Sequence, residues 1–270
     1  MSFVTSARLY NAGPKAAAAW RALFGRVFAD IGVEVATIEH KHPQPIEALW
    51  EEPGLFGAFM CGWPFVRGGA RMQPVAAPVP APARYESKPR YCSDFLVRED
   101  SGWRRVEDAF GHRFGWTVAG SHSGFNAPRA FLSQWVSPQR PRLFSRTVGP
   151  LGSPAAALAE LKAGAVDMVA LDGYWLDLLR HHDAAQLEGV RVVGHTPWAP
   201  IPLVVAAPKV DAALARRLRE RLLTLHEARA YAAMLADVVL ERFVAPDASA
   251  YPALEALAAD AERAGYAIIA

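Results

Sequence analysis

The 270-residue sequence predicts an α/β protein built as two similar lobes. Helix-like and strand-like patterns alternate for most of the length, the order that lays a parallel sheet beneath helices on both faces. The stretches "ALWEEPGLFGAFMCGWPF" (from Ala48) and "ALAELKAGAVDMVALDGYW" (from Ala157) also echo one another. Each runs helix, glycine, apolar strand, then a glycine beside an aromatic residue. An echo that occurs only twice is no solenoid. It suggests two lobes, each offering the C-terminal end of a strand to a shared cleft.

The elements follow in order. "SARLYNAG" (Ser6–Gly13) reads as a short strand ending in a loop. "PKAAAAWRALFGRVFADIG" is a helix, with Pro14 in its first turn, apolar residues at helical spacing and Gly32 as its stop. "VEVATIEH" alternates as a strand, "PIEALWEEPG" is a short helix, and "LFGAFMCGWPFV" is a buried strand entering a turn. "PVAAPVPAPARYESKP" (Pro74–Pro89) reads as an ordered, extended crossing segment with little regular structure, because "YCSDFLVRED" resumes a strand at once. A short helix and a strand fill "WRRVEDAFGHRFGWTVAG", and a helix runs from about Phe125 to Trp135. "SPAAALAELKAG" is a helix with Ser153 as N-cap and Pro154 at its first position. "AVDMVALDGYW" is the next strand, and "VRVVGHTPWAPIPLVVAAP" holds two strands about a Pro-Trp turn. From Asp211 the chain reads as mostly helical.

Composition excludes several classes. Hydrophobic residues are 52% and charged residues 21%, as in an ordinary soluble globular protein. A net charge of +2 is too balanced for a nucleic-acid binder. No apolar run approaches the roughly 18 residues of a membrane span, so direct membrane insertion is not expected. "MSFVTSARLYNAG" lacks the regions of an export signal, which predicts either a cytosolic protein or a mature periplasmic form. Cys61 and Cys92 are too few for a disulfide framework or a zinc site and read as buried thiols. "HKH" (His40–His42) and "HHD" (His181–Asp183) lack the i, i+4 pairing of a helical zinc site and read as solvated surface. No cofactor motif is present.

The most informative stretch is "TVAGSHSGFNAPRAF" (Thr117–Phe131), where a strand leaves through Gly-Ser-His-Ser-Gly into a helix. A nucleophile elbow needs serine at the centre of Gly-x-Ser-x-Gly, but the centre here is His122. A phosphate-binding loop needs a lysine after its last glycine, and Gly124 is followed by Phe125. Two readings survive. Free N–H groups at the helix start, with the hydroxyls of Ser121 and Ser123, suit a passive oxyanion site, and Gly124 lets the backbone come close. Alternatively, one serine simply caps the helix, a contribution of about 1 kcal/mol.

Several segments together resemble the substrate-binding proteins of phosphate, phosphite and phosphonate ABC importers. "YCSDFLVREDSGWRRVEDAFGHRFGWTVAGSHSGFNAPRAFL" is similar to that family's Tyr-x-Ser strand and Ser-x-Ser-Gly anion loop. "GSPAAALAELKAGAVDMVALD" is similar to its second ligand helix and the following strand, and "TPWAPIPLVVAAP" to its return crossing. The resemblance implies a type II periplasmic-binding-protein fold, each lobe a mostly parallel sheet flanked by helices, with two crossing segments. Residues 1–97 and 203–270 would form one lobe and 98–202 the other. It implies a binder of a small oxyanion (a phosphonate, phosphate or related ester) that serves an ABC permease, performs no chemistry and has no catalytic residue. The alternative is a cytosolic enzyme or a sensory module on the same fold.

The resemblance also implies the ligand residues. Ser121, His122, Ser123 and Gly124 would hold the oxyanion, with Ser153 at the second helix. Tyr10 and Asn11 occupy the first-strand loop, Trp63 and Tyr91 stand where cleft aromatics are expected, and Asp172 would receive a ligand ammonium. For Tyr10, Trp63 and Tyr91, core packing is an equal reading. The departure is at the second helix. Family members with an aminophosphonate ligand carry Gly-Ser-His there, and this chain has Gly152-Ser153-Pro154, which removes one side-chain contact. Trp63, Trp175 and Trp198 would then suit a larger or more apolar organic anion.

Overall fold

A computed structural model describes residues 2–68 and 71–270. The chain first lays down β1 (Phe3–Ser6), α1 (Pro14–Asp30), β2 (Val35–Thr37), α2 (Ile46–Trp50), β3 (Leu55–Met60), α3 (Gly62–Arg67) and β4 (Gln73–Pro80). It crosses through β5 (Arg90–Tyr91). There it builds β6 (Ser93–Arg98), β7 (Arg113–Gly115), α4 (Ala127–Leu132), β8 (Arg146–Val148), α5 (Pro154–Lys162), β9 (Met168–Asp172), α6 (Gly173–Asp183) and β10 (Val190–His195). It returns through β11 (Ala199–Pro200) to add β12 (Leu203–Ala206), α7 (Ala212–Leu223), α8 (Ala232–Asp237), β13 (Leu240–Val244) and α9 (Ala253–Arg263).

Two sheets result, in the orders β13-β4-β12-β3-β1-β2 and β10-β6-β9-β7-β8, and the crossings β5 and β11 pair with each other. In the first sheet β4, β3, β1 and β2 point one way, and β12 runs against its neighbours β3 and β4. In the second, β6 is the reversed strand, between β9 and β10. Each lobe thus receives the strand arriving from the other as an antiparallel insert, and in the first sheet the edge strand β13 also runs against its neighbour β4.

Four expectations shift. The sheets part at the β5 crossing rather than after residue 97, because β6 pairs along its whole length with β9 in the second lobe. The C-terminus also returns there: Tyr266 and Ile269 join Phe114, Leu143 and Phe144 in the second core, and Leu143 and Phe144 donate backbone hydrogen bonds to the Ala270 carbonyl. The proline-rich segment begins as β4, inside the first sheet. Pro74, Pro78 and Pro80 lie in this strand, and its pairing register shifts beside Pro74 against β12 and beside Pro80 against β13, the kind of irregularity at which a strand tolerates proline. Finally, β13 interrupts the helical C-terminal region. Its sequence, LERFV, does not alternate strictly, and the edge of β4 settles its conformation.

The first core is organised by α1, whose Trp20, Leu23, Phe24, Val27 and Phe28 recur at i, i+3, i+4 spacing and are all buried. Gly32 ends that helix at φ 64°, a left-handed conformation that favours glycine. Leu55, Phe56 and Phe59 of β3 meet this face. Among the described residues, no helix is long and apolar enough to cross a membrane.

Candidate functional site

The strand ends, not the strand middles, build the site. In the second lobe the chain leaves β7, β8 and β9 toward the first lobe, and each exit ends in a capped turn. After β7, Ser121 Oγ accepts from Gly124 N at 2.9 Å, starting a π-helical turn (His122–Asn126) that runs into α4. After β8, Ser153 Oγ accepts from Ala156 N at 3.1 Å and caps α5. At the end of β9, Asp172 Oδ1 accepts from Tyr174 N and Trp175 N at 2.9 and 3.0 Å and caps α6. Ser121, Ser123, Gly124, Ser153 and Asp172 all line one cavity of about 90 Å³. Ligand sites in open α/β sheets lie at such carboxyl ends of strands.

The first lobe closes this cavity with a different chemistry. Leu9, Ile46, Trp50, Cys61 and Pro202 supply apolar or weakly polar surface, and Arg8 supplies one charge. Arg8 belongs to a 3₁₀ turn (Arg8–Tyr10), because β1 stops at Ser6 rather than running on through "ARLY". The two lobes touch around the rim: the Cys61 thiol accepts from His122 N at 3.4 Å, and the His42 ring packs against Gly152. His40–His42 therefore edge the cleft instead of standing as idle surface. His182 stays exposed, with its ring on the Asp237 carbonyl at 2.7 Å.

Two glycines are dictated here. A β-carbon on Gly124 would collide with the Thr117 side chain, which lies against the Ser121–Gly124 loop. Gly152 has φ +80° and meets the His42 ring, so geometry and space both demand glycine.

Electrostatically the site is dry. Burial raises the Asp172 carboxyl to about 7, against the lowering effect of the Trp175 and Tyr174 N–H groups it accepts from. Burial lowers His122 to about 3, leaving a neutral ring. Burial likewise pushes the Tyr10 and Tyr91 phenols and the Cys61 thiol upward. Behind Asp172, Arg84 is clasped between Asp94 (2.9 Å) and Asp177 (3.4 Å), and Tyr85 donates to Asp177 at 2.6 Å. A β-carbon on Gly173 would strike the Arg84 guanidinium, so this ionic cluster sits directly under the start of α6.

The remaining sequence candidates lie elsewhere. The His122 side chain is 1% exposed, its Nδ1 lies 3.2 Å from Asn126 Nδ2, and it does not line the cavity. The π-helical turn rotates it inward, toward Tyr91, with ring centroids 6.1 Å apart. Tyr10 is fully buried against Phe59 and Tyr174, and Tyr91 is buried at the crossing. Trp63 faces a separate groove with Arg67 and Arg129. Trp198 packs on Tyr85 at the hinge. Asn11 and Trp175 line a wider cavity of about 510 Å³ that adjoins the first. Aromatic core and aromatic cleft wall look alike in a sequence, which is why these placements had to come from packing. Arg8, Leu9, Trp50, Cys61 and Thr117 went unnoticed. For Arg8 the available signal was a lone charge just past a strand end. Thr117 Oγ1 is buried without a partner among the described residues. Both cysteines are free and buried.

Residues 57–251 match the family model of the periplasmic substrate-binding protein of phosphonate ABC transporters. The chain belongs to this family. It is a solute-binding protein of an ABC transporter, not an enzyme. No curated protein matches its sequence. A solved binding-protein component of an ABC phosphonate transporter from Pseudomonas aeruginosa superposes with a TM-score of 0.80 at 17% identity, covering 97% of this chain and 87% of that one. PhnD1 from Prochlorococcus marinus, solved in complex with methylphosphonate, gives 0.77 at 18% identity, covering 97% and 98%. At these identities the likeness is one of fold. This phosphonate-family binding protein shares the two-lobed arrangement, with its cavity at the junction of the lobes.

Proposed function

We propose that this protein holds a phosphonate, phosphate or related ester in the 90 Å³ cavity and hands it to the permease of an ABC importer in the periplasm. One observation carries the reading: three capped turns of one lobe converge on a cavity that the other lobe covers with mostly apolar surface. Ser121, Ser123, Gly124 and Ser153 are its anion ligands, with Thr117 Oγ1 a further donor. Helix starts carry unsatisfied N–H groups and partial positive charge, and each such end favours an anion by about 0.3–1 kcal/mol. Exclusion of water strengthens these interactions. Asp172, whose Oδ1 already accepts from two N–H groups, has Oδ2 left for the ligand, donating to a ligand oxygen when protonated and accepting from a ligand ammonium when ionised.

Thermal unfolding against phosphate, phosphite, alkylphosphonates, aminophosphonates and sulfonates tests this reading. A ligand at about 100 times its Kd stabilises the folded state by about 2.7 kcal/mol, a rise of about 5 °C in a chain of this size. The rise is expected with a phosphorus oxyanion, and the Ser121→Ala, Ser123→Ala double variant should fold yet lose it. A double variant that binds normally would remove the loop from the site.

A further inference from the structure

Arg8 lies at the junction of two cavities. It lines both the 90 Å³ cavity and the 510 Å³ one, which also share Leu9, Ser153 and Pro154. The guanidinium end lies away from the 90 Å³ cavity: Arg8 Nη1 donates to His40 Nδ1 at 2.6 Å, and His40 lines the wider cavity and a smaller one of about 30 Å³ that Arg8 also borders, but not the 90 Å³ one. That contact orients the arginine without cancelling its charge. A guanidinium can only donate, so the ring nitrogen accepts and the imidazole is neutral. Burial and the neighbouring Arg8 both hold the His40 pKa down, in keeping with that state.

The charge is not neutralised nearby. No carboxylate among the described residues comes within ion-pair distance of Arg8, and the nearest influence is a longer-range one from Glu47. The other cation of the wider cavity, Lys41, is paired with Glu39 at 2.6 Å. Arg8 is therefore a half-buried, desolvated cation with no counter-ion, held in place at the exit of an anion pocket. A charge removed from water in this way is costly unless something pairs with it.

We infer that Arg8 is a second anion anchor, and that the ligand is a two-headed acid: a phosphonate or phosphate head among the serines, and a carboxylate on the Arg8 fork in the wider cavity. The link between the heads would pass Leu9 and Pro154, which offer apolar surface and no side-chain donor. Planar guanidinium and planar carboxylate match in two parallel hydrogen bonds, which a hydroxyl or an alkyl end cannot form. Pro154, where the family's aminophosphonate binders carry a histidine, fits a passage for a carbon chain rather than a polar contact.

This inference rests on the phosphonate reading above, and one calorimetric comparison separates the two. The probes are 3-phosphonopropionate and propylphosphonate, which share a head and a chain length and differ in the terminal carboxylate. The native protein is expected to bind 3-phosphonopropionate at least about tenfold more tightly, the effect of one charge-assisted contact. Arg8→Gln should erase that preference, costing 3-phosphonopropionate at least about tenfold more than it costs propylphosphonate, and Arg8→Lys should restore part of it, because it keeps the charge but loses the fork. Equal binding of both probes by the native protein overturns the second anchor and leaves the phosphonate site standing. An equal loss for both probes in Arg8→Gln overturns it too and assigns Arg8 to the head. Binding of neither probe by the folded native protein overturns both readings.

Discussion

The cleft has two unlike walls made from like parts. In each lobe an apolar strand ends at a residue that faces the cavity and starts a helix: Cys61 after β3, Asp172 after β9. Each is followed by a glycine against which other groups pack closely, Tyr251 and Leu254 at Gly62 and Arg84 at Gly173. Yet Asp172 caps its helix through its side chain, and Cys61 turns its thiol across the cleft to His122 N. On the proposed reading the second lobe, with its serines and helix starts, is the wall that holds the anion. The first is a cover, apolar but for Arg8. A binder that closes by hinge motion gains from this division, since the cover makes its contacts only in the closed state, and those contacts set how far ligand shifts the equilibrium.

The strongest way to break the holding wall is at Gly124. Gly124→Ala drives a methyl group into Thr117, and overpacking of this kind costs about 1–3 kcal/mol. Melting should fall by about 2–6 °C, and phosphonate binding should vanish with the distorted loop. Thr117→Ala added to Gly124→Ala should recover part of the melting temperature. No recovery would mean that the loop fails for a reason other than this contact.

Asp172 sharpens the comparison through pH. Its folded pKa, about 7, stands above the 3.8 of an ordinary aspartate, so the protonated carboxyl is favoured by folding. Its stabilising contribution is full below about pH 3.8 and is lost as the pH rises through about 7. A bound anion raises the carboxyl further, so binding takes up a proton. Affinity should fall by up to about tenfold from about pH 7 to about pH 8 in excess of any fall in Asp172→Asn, whose side-chain oxygen still caps α6. Asp94 and Arg84 act on Asp172 with opposite signs from behind and are present in both proteins. Identical pH profiles would show that Asp172 does not titrate against the ligand.

These two walls were not equally legible. The caps at Ser153 and at the Ser121–Ser123 turn were readable because a cap declares itself locally, a short polar side chain two or three residues from the N–H it serves. The two-lobed fold was readable for the same reason, from strand and helix periods and one echo. Asp172 was named only through the family resemblance, as a receiver of a ligand ammonium and not as the cap it is. The covering wall depends on contacts far apart in sequence. Arg8, Trp50, Cys61 and Pro202 become neighbours only after the chain has crossed between lobes twice, and apart from the lone charge of Arg8 just past a strand end nothing in their local pattern marks them. His122 misled because its place in the motif fixes the backbone, whereas the π-helical turn decides where the ring goes. Tyr10 and Tyr91 are buried like any core aromatic.

At the rim, the contact of His42 with Gly152 offers a smaller test. His42→Ala removes a ring that lies against Gly152 of the other lobe. Affinity should drop by about threefold to tenfold through weaker closure, with faster ligand release and little change in melting of the ligand-free protein. If melting fell and affinity held, the ring would be packing within one lobe's structure and not across the cleft.

The smallest expected effect lies at the residue that makes the two walls comparable. Cys61→Ala leaves His122 N without its thiol acceptor and changes little volume, so the cost is that of one weak hydrogen bond, about 0.5–1 kcal/mol. Because the bond spans the lobes, the loss should appear in ligand affinity, about twofold to fivefold, and not in the stability of the first lobe. Cys61→Ser puts a shorter but stronger acceptor at the same position and should return affinity toward the native value. If Cys61→Ala instead lowers melting with affinity unchanged, the thiol is simply core, and the resemblance between the two strand ends stops at backbone geometry.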